Sequence, residues 1–236
     1  NKAGWEAMLA KYGGYLPVRI RALKEGTVIP VSNAMATIEN IDPEFRWVTT
    51  WVETALLRGV WYPTTVATQS WSIKQVIKRF LEETGDVGGL AFKLHDFGAR
   101  GVSSLESAAI GGAAHLVNFL GSDTVSGAVA LMEYYNAPVS AFSIPAAEHS
   151  TITSWGRDNE VEAYRNMLKK FGGEGKLLAV VSDSYDIYNA CKLWGTELKQ
   201  EVIDSKAIVV IRPDSGVPVD VVAGRRFEDV ADLDDY

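Results

Sequence analysis

The sequence predicts an α/β fold in which parallel strands alternate with helices. Five apolar runs of strand length carry this prediction, and segments with helical patterning separate them. Buried parallel strands read as continuous apolar runs, because both faces of the sheet are covered. A polar loop follows each run at its carboxyl end, where parallel α/β folds place their sites, so we expect the five loops to form one site. The runs are Leu90–Leu94, His115–Phe119, Val139–Phe142, Leu177–Val181 and Ala207–Ile211.

Five strands are too few to close an eight-stranded barrel. Two architectures therefore stay open: an open, doubly wound sheet, or a (β/α) barrel that is incomplete because the chain is truncated. The chain does not begin with Met and starts inside a predicted helix, so we expect a fragment. The pattern divides it into an N-terminal α+β portion over 1–90, a βα portion over 91–222 and an acidic tail over 223–236.

Composition narrows the function classes. The chain is 47% hydrophobic and 22% charged, which is typical of a soluble globular protein with a core. Its net charge of −7 argues against non-specific nucleic-acid binding. Cys191 is the single cysteine, so no internal disulfide can form and a reducing, cytoplasmic setting is expected. No apolar run approaches membrane-spanning length.

The N-terminal portion is predicted to begin with a helix and a small antiparallel β element. The helix carries an apolar face spaced at i, i+3, i+4 and i+7 from Trp5, and Gly13 ends it. Runs over 15–23, 26–31 and 34–39 predict the strands, the first of them an edge strand because it contains a proline.

Two long helices are predicted next. Asp42 caps the first, with Pro43 at its first position, and Gly59 ends it. The second runs over 64–84 and ends at Gly85. The tryptophan-rich face of the first helix invites a ligand-stacking role, but aromatic residues at helical spacing favour a core face.

The segment 93–104, KLHDFGARGVSS, is the richest motif. It reads as a strand end, a glycine-bearing loop and a helix start, with Ser103 and Glu106 as a capping box. Such a loop places backbone N–H groups, a helix dipole and Arg100 around one point, which suits phosphate. Phe97 either stacks on a planar ring or anchors the loop to the core. Arg100 either binds phosphate or forms an ion pair with the preceding aspartate.

The later loops carry further candidates, each with two interpretations. His149 is a general base or a phosphoryl-accepting nucleophile, or else a surface histidine at a helix start. Arg212 binds phosphate or pairs with Asp214. Asp123 is a helix cap, or it accepts hydrogen bonds from a substrate amide or hydroxyl. His115 is expected to be structural.

Acidic residues in the last two loops predict either metal chemistry or local structure. Asp183, Asp186 and Asp214 are able to hold Mg²⁺ through water, since Mg²⁺ is bound through few carboxylates and substrate phosphates. They equally suit helix caps and turns. The role of His95, at a strand end, stays open.

Four motifs occur in order: HDFGARGVSS at 95–104, PAAEHSTI at 145–152, VSDSYDIYN at 181–189 and IRPDSG at 211–216. Together they resemble the nicotinamide phosphoribosyltransferase family, and the resemblance runs from the first residues to about Val222. It implies a barrel of the type II phosphoribosyltransferase kind. It also implies transfer of the phosphoribosyl group of 5-phosphoribosyl 1-pyrophosphate to nicotinamide, with Mg²⁺.

The resemblance also implies residue roles. Phe97 would stack on the nicotinamide ring, and Asp123 would accept a hydrogen bond from its carboxamide. Ser143 would lie near the ring. Arg100 and Arg212 would line the nicotinamide and phosphate site.

The catalytic set implied by the resemblance is His149, Asp214 and Arg212. Asp214 would contact the ribose, and His149 would be phosphorylated by ATP, a co-substrate whose hydrolysis is coupled to turnover. Members of the family form homodimers in which an N-terminal segment of one subunit supplies an aromatic side chain to the other. We therefore expect a fragment, since the sequence starts at Asn1 without such a segment and family members continue beyond the IRPDSG motif.

Two alternatives remain beside this interpretation. The chain is a non-catalytic remnant or binding module, or it is a phosphoribosyltransferase that uses nicotinate or quinolinate. Asp123 discriminates among the substrates, because a carboxylate repels an acid and accepts an amide N–H.

Overall fold

A computed structural model describes residues 1–226 as a protein of mixed helices and strands. The α/β class is therefore confirmed. The chain forms two compact units, a first unit over Asn1–Ser143 and a second unit that begins at Ile144. The boundary drawn after residue 90 marks where the βα pattern starts, and it stays a prediction. Within the described range, no helix combines the length and the apolar character needed to cross a membrane.

The first unit opens with the predicted helix, α1 (Lys2–Tyr12). The Asn1 side chain caps it by accepting the Gly4 N–H at 3.1 Å. Gly13 ends it with a positive φ of 61°, a conformation that is least strained for glycine.

An antiparallel pair follows, formed by β1 (Val18–Ala22) and β2 (Ala36–Asn40). The small antiparallel element is therefore confirmed. The predicted strand over 26–31 is wrong, since these residues are turn and irregular structure. Val31 is 91% exposed, so the segment has no buried face to stabilise a strand.

A single helix, α2 (Val48–Thr84), replaces the two predicted long helices. The predicted end at Gly59 is wrong, and Pro63 lies inside the helix. An interior proline costs about 3 kcal/mol in helix stability. The helix nevertheless continues because it packs against α3 (Leu105–His115), and tertiary packing overrides the local cost. Asp42 caps a separate 3₁₀ turn, Pro43–Phe45.

The tryptophan-rich face of α2 is only partly buried. Val48 is fully buried and packs with Met8 and Phe45 in a small core. Trp51 is 64% exposed, so its assignment to the core is wrong. Trp5 nevertheless contacts it edge to face, with ring centroids 6.1 Å apart.

Two short strands and a bridge replace three longer predicted strands. The strand β3 (His95–Asp96) pairs in parallel with β4 (Gly121–Ser122). Gly121 also forms a parallel bridge to Phe142, all that remains of the strand predicted over 139–142. The strand predicted over 90–94 is wrong, because residues 87–92 form a 3₁₀ helix capped by an aspartate side chain.

The strand predicted at His115–Phe119 is also wrong, because α3 continues through His115. Small residues let α3 approach α4 (Val125–Tyr135) closely, and a Cβ on Gly127 would lie 2.7 Å from the Gly112 carbonyl carbon. Burial in this helix pair favours helix over strand.

The helix starts where the sequence predicts, but the cap is Ser104 rather than Ser103. The Ser104 hydroxyl accepts the Ser107 N–H at 3.0 Å.

The second unit contains the longest parallel pair, β5 (Leu177–Val181) and β6 (Ile208–Arg212). The first matches its prediction and the second is shifted by one residue. Ala146 forms a parallel bridge to Ala179 in β5. The described helices of the second unit are α5 (His149–Thr153), α6 (Glu160–Phe171), α7 (Ile187–Gly195), α8 (Lys199–Ser205) and α9 (Pro218–Ala223).

The core of the second unit centres on β5. Val180 and Val181 are fully buried, and Tyr164 stacks on Trp194 with ring centroids 5.0 Å apart. The end of the tail, 227–236, for which the sequence predicts neither helix nor strand, lies outside the described residues.

Candidate functional site

The candidate residues of the first unit follow three neighbouring strand segments. Phe97 follows β3, Asp123 follows β4, and Ser143 follows the bridging residue Phe142. The Asp123 N–H donates to the Asp96 carbonyl at 2.9 Å, which locks the first two strand ends together. The three candidate side chains therefore start from the same edge of one parallel arrangement.

His95 lies between the aromatic ring and the carboxylate of this group. Its ring centroid is 4.6 Å from that of Phe97. Its Nε2 is 3.3 Å from Asp123 Oδ1, an ion-pair distance without hydrogen-bond geometry. Phe97 is 52% exposed, and the Asp123 side chain is 40% exposed. An exposed ring and an exposed carboxylate thus flank one imidazole, a connection that the sequence left open.

Arg100 lies in the 3₁₀ turn Gly98–Gly101 and is exposed. Asp96 Oδ1 accepts the Gly98 N–H at 2.7 Å, so this carboxylate holds the loop. Over residues 1–226 Arg100 forms no ion pair, and the pairing with Asp96 considered from the sequence is not observed. Its guanidinium is available to an anion.

The second unit brings together a histidine and two carboxylates. His149, the first residue of α5, places Nε2 3.1 Å from Asp183 Oδ1. Its Nδ1 is 3.8 Å from Asp214 Oδ2. A carboxylate only accepts hydrogen bonds, so the neutral imidazole carries its proton on Nε2 and keeps a lone pair on Nδ1. This tautomer makes Nδ1 the nucleophilic atom.

Asp183 is the centre of this group, and its side chain is 6% exposed. Its Oδ2 accepts the N–H groups of Asp214 and Ser215, both at 2.6 Å. Burial alone would raise the pKa of Asp183, but these backbone donors outweigh burial and hold it below its ordinary value. The sequence suggested a metal role or a cap or turn for Asp183, and it missed the hydrogen bond by which Asp183 orients His149. The Ser-Asp pair at 182–183, directly after an apolar run of strand length, was the available signal.

Arg212 ends β6 and lies 3.4 Å from Asp214 Oδ1, so the ion pair considered from the sequence is formed. The Arg212 side chain is 26% exposed, and its Nε is buried. Asp214 therefore faces both a cation and the imidazole of His149.

Metal ligation by acidic residues finds little support in this geometry. Throughout the described part of the chain, no group of three or more His, Cys, Asp or Glu residues is arranged to hold a metal ion. Asp183 uses both oxygens internally, and Asp186 Oδ1 accepts two N–H groups at the start of α7. Direct ligation by Asp183 and Asp186 does not fit.

Comparisons with known proteins agree with these motifs. The model of the nicotinate phosphoribosyltransferase (NAPRTase) family matches residues 92–236, a range that includes the tail over 223–236. A nicotinamide phosphoribosyltransferase of Xanthomonas campestris pv. campestris is 61% identical over 225 residues, which is 94% of this chain and 48% of that protein.

More distant relatives carry the same name. The nicotinamide phosphoribosyltransferase of Acinetobacter baylyi is 33% identical over 89% of this chain and 43% of its own length. That of Mycoplasma pneumoniae is 33% identical over 90% of this chain and 46% of its own length. The chain therefore spans about half the length of the curated relatives it matches.

Proposed function

The chain belongs to the nicotinate phosphoribosyltransferase family, and on that premise we propose that it acts in phosphoribosyl transfer to nicotinamide. The products are nicotinamide mononucleotide and pyrophosphate, a step of NAD salvage. The bond formed joins the ring nitrogen to the anomeric carbon, and the bond broken joins that carbon to pyrophosphate. The sequential order of neighbouring parallel strands within each unit supports an incomplete (β/α) barrel rather than a doubly wound sheet.

The observation that carries the proposal is the ring and carboxylate pair around His95. Nicotinamide is a flat ring with an amide, and Phe97 offers an exposed face for stacking. Asp123, at the next strand end, accepts the carboxamide N–H. Arg100, in the loop that follows Phe97, and Ser143, after the third strand segment, complete this base-binding group.

Asp123 also favours nicotinamide over nicotinate or quinolinate. A substrate carboxylate would meet the Asp123 carboxylate with like charge, whereas an amide donates to it. The family name points to nicotinate, and the names of the relatives point to nicotinamide. The charge of Asp123 supports the amide as the substrate.

Asp123→Asn in the full-length protein tests this assignment. The substitution keeps the side-chain shape and removes the charge, so the KM for nicotinamide should rise about ten- to hundredfold. Initial rates with nicotinamide and nicotinate provide the measurement. Glu133→Gln, an exposed change on α4, is the matched control and should leave both rates unaltered. A wild type that turns over nicotinate faster than nicotinamide contradicts the assignment.

In the second unit, Arg212 and Asp214 are proposed to act on the phosphoribosyl substrate. Expulsion of pyrophosphate develops negative charge on oxygen and positive charge on the sugar, so positioning and anion stabilisation dominate over strong base catalysis. The partly exposed Arg212 side chain carries a guanidinium, a group that suits phosphate oxygens. Asp214 suits a ribose hydroxyl.

His149 is proposed to accept the γ-phosphoryl group of ATP. Nδ1 attacks phosphorus, an N–P bond forms, and the P–O bond to ADP breaks; water later hydrolyses the phosphohistidine. The contact of Asp183 with Nε2 supports this role, because it presents Nδ1 with its lone pair. Asp183 and Asp186 already accept backbone hydrogen bonds, so a bound Mg²⁺ would take its main ligands from the substrate phosphates and would neutralise their charge.

His149→Ala tests the ATP coupling. The variant should lose all stimulation by ATP while retaining basal synthesis of nicotinamide mononucleotide, since stacking and anion binding do not use His149. Product formation with and without ATP is measured beside trapping of ³²P on the protein. ATP stimulation that persists in the variant removes the proposed role.

A homodimer and a cytoplasmic location complete the proposal. Large aromatic side chains lie exposed along α2, with Trp51 64% and Trp61 57% exposed. Exposed apolar surface of this kind marks protein contact sites. Light scattering of the full-length protein during size-exclusion chromatography measures the subunit number, and a monomer would contradict the dimer.

A further inference from the structure

His115 is a buried histidine that the proposed reaction does not use. It is 5% exposed and ends α3. Its Nδ1 is 3.2 Å from Ser70 Oγ on α2, and its Nε2 is 3.0 Å from the Gly121 carbonyl oxygen. The Phe119 ring stacks on the imidazole, with centroids 5.4 Å apart and planes 13° apart. The ring is therefore held by contacts at both nitrogens and on one face.

The hydrogen-bond directions follow from the chemistry of the partners. Burial lowers the pKa of His115, so the ring is neutral and carries one donor and one acceptor. The Gly121 carbonyl only accepts, so Nε2–H donates to it. The Ser70 hydroxyl then donates to the lone pair on Nδ1. His115 thus connects α2 to the first residue of β4.

The carbonyl that His115 holds lies two residues before Asp123. The strand β4 has only two residues, and backbone bonds from the Ser122 and Asp123 N–H groups to Phe142 and Asp96 extend its short ladder. The contact of His115 with the Gly121 carbonyl adds a side-chain hold at the first residue of this strand. A Cβ on Gly121 would lie 2.7 Å from His95 Nδ1, which shows how closely β4 approaches the ring that flanks Asp123. A small tilt of Gly121 would therefore move the Asp123 carboxylate relative to His95 and Phe97.

We propose that His115 is a positioning residue that sets the Asp123 carboxylate at the distance required by the substrate carboxamide, by holding the Gly121 carbonyl. The inference rests on the proposed function of Asp123. Ser70 only supports the ring, because the Gly121 carbonyl already selects the tautomer and the Ser70 hydroxyl donates to the remaining lone pair on Nδ1. His115 itself touches no substrate.

Two amide variants of the full-length protein separate positioning from simple stability. In His115→Gln the amide nitrogen reaches about the place of Nε2 and can still donate to Gly121. In His115→Asn the amide lies near the place of Nδ1, faces Ser70 and is too short for Gly121. The Asn variant should raise the KM for nicotinamide roughly tenfold, leave the KM for phosphoribosyl pyrophosphate within about twofold, and be rescued by the Gln variant.

Ser70→Ala is the second control, since it leaves the Nε2–H donor in place. It should lower the melting temperature with little change in the KM for nicotinamide. If His115→Asn and His115→Gln lower the melting temperature equally and both leave the KM for nicotinamide unchanged, His115 is only structural and the proposal is overturned.

Amide hydrogen exchange over residues 119–124 decides the inference independently of activity. Exchange should quicken in His115→Asn and stay near the wild-type rate in His115→Gln. Equal exchange in the two variants overturns the positioning role. A wild type that makes no nicotinamide mononucleotide would instead refute the proposed function, while the exchange contrast would still report whether His115 holds the strand of Asp123.

Discussion

The two units fix their candidate residues by different physical means. In the second unit, the loop residues Asp183 and Asp214 follow strands of five residues each. Val180 and Val181, directly before the first loop, are fully buried. In the first unit, Phe97 and Asp123 follow strands of two residues each. Strand pairing over a buried core positions the candidate residues of the second unit. Contacts with the neighbouring helices position those of the first unit.

The candidate residues of the two units depend on different interactions. Charged hydrogen bonds that converge on Asp183 connect the loops of the second unit. In the first unit, the glycine contact between α3 and α4 and the His115 bridge act behind the strand ends. We therefore expect the second unit to lose most stability when a carboxylate is removed. We expect the first unit to lose most stability when its packing is changed.

The largest effect is expected from Asp183→Ala. It removes a nearly buried carboxylate and leaves the N–H groups of Asp214 and Ser215, together with His149, without their acceptor. The free energy of unfolding should fall by about 3 kcal/mol, and ATP stimulation should disappear. Denaturant unfolding and a coupled assay measure the two changes. A loss below about 1 kcal/mol would show that the ladder alone positions these loops.

Acid unfolding tests the contribution of the Asp183 carboxylate to the stability of the second unit. Because the pKa of Asp183 is lower in the folded protein than its ordinary value, its stabilising contribution is present above about pH 4 and is lost as the pH falls through the folded value. Asp183→Asn, which does not titrate, should flatten the stability curve in that range. Stability measured from pH 6 to pH 2 in wild type and variant provides the check, and parallel curves would contradict it.

Gly127→Ala should have the next largest effect, this time in the first unit. The added Cβ would lie 2.7 Å from the Gly112 backbone, which cannot rotate away as a side chain does. Overpacking of this kind costs about 1–3 kcal/mol. Gly195→Ala is the matched control, because nothing lies within 4 Å of its Cβ. Thermal melts that fall equally for both variants would show that helix crossing is not the limiting contact.

The sequence predicted the second unit better than the first, for a physical reason. Residues 177–181 form an apolar run with no competing glycine, and burial in the core supports the strand that propensity favours. Arg212 and Asp214 lie at the strand end where they were expected, whereas His149 follows only a bridging residue, Ala146, and begins a helix. The hydrogen bonds of Asp183 were not predicted, because they join loops that are distant in the sequence.

In the first unit, tertiary contacts override local patterns. The run over 115–119 reads as a strand, yet His115 belongs to a helix whose small residues let α4 approach. The break expected at Gly59 fails because packing against α3 carries α2 past Pro63. Phe97 and Asp123 were still placed at strand ends, since the polar loops remain readable even where strand lengths are not.

The smallest expected effect tests the corrected course of α2. Gly59 lies inside the helix and nothing lies within 4 Å of its Cβ, so Gly59→Ala should stabilise the protein by about 0.5–1 kcal/mol. Gly13→Ala is the matched control, since its Cβ also meets nothing within 4 Å but its φ is +61°. A left-handed backbone disfavours alanine, so this variant should be destabilised by about 1 kcal/mol. Chemical unfolding measures both signs. If Gly59→Ala destabilised the protein instead, the helix would end at Gly59 as first predicted. Replacing a glycine that ends a helix, such as Gly13, with alanine is destabilising.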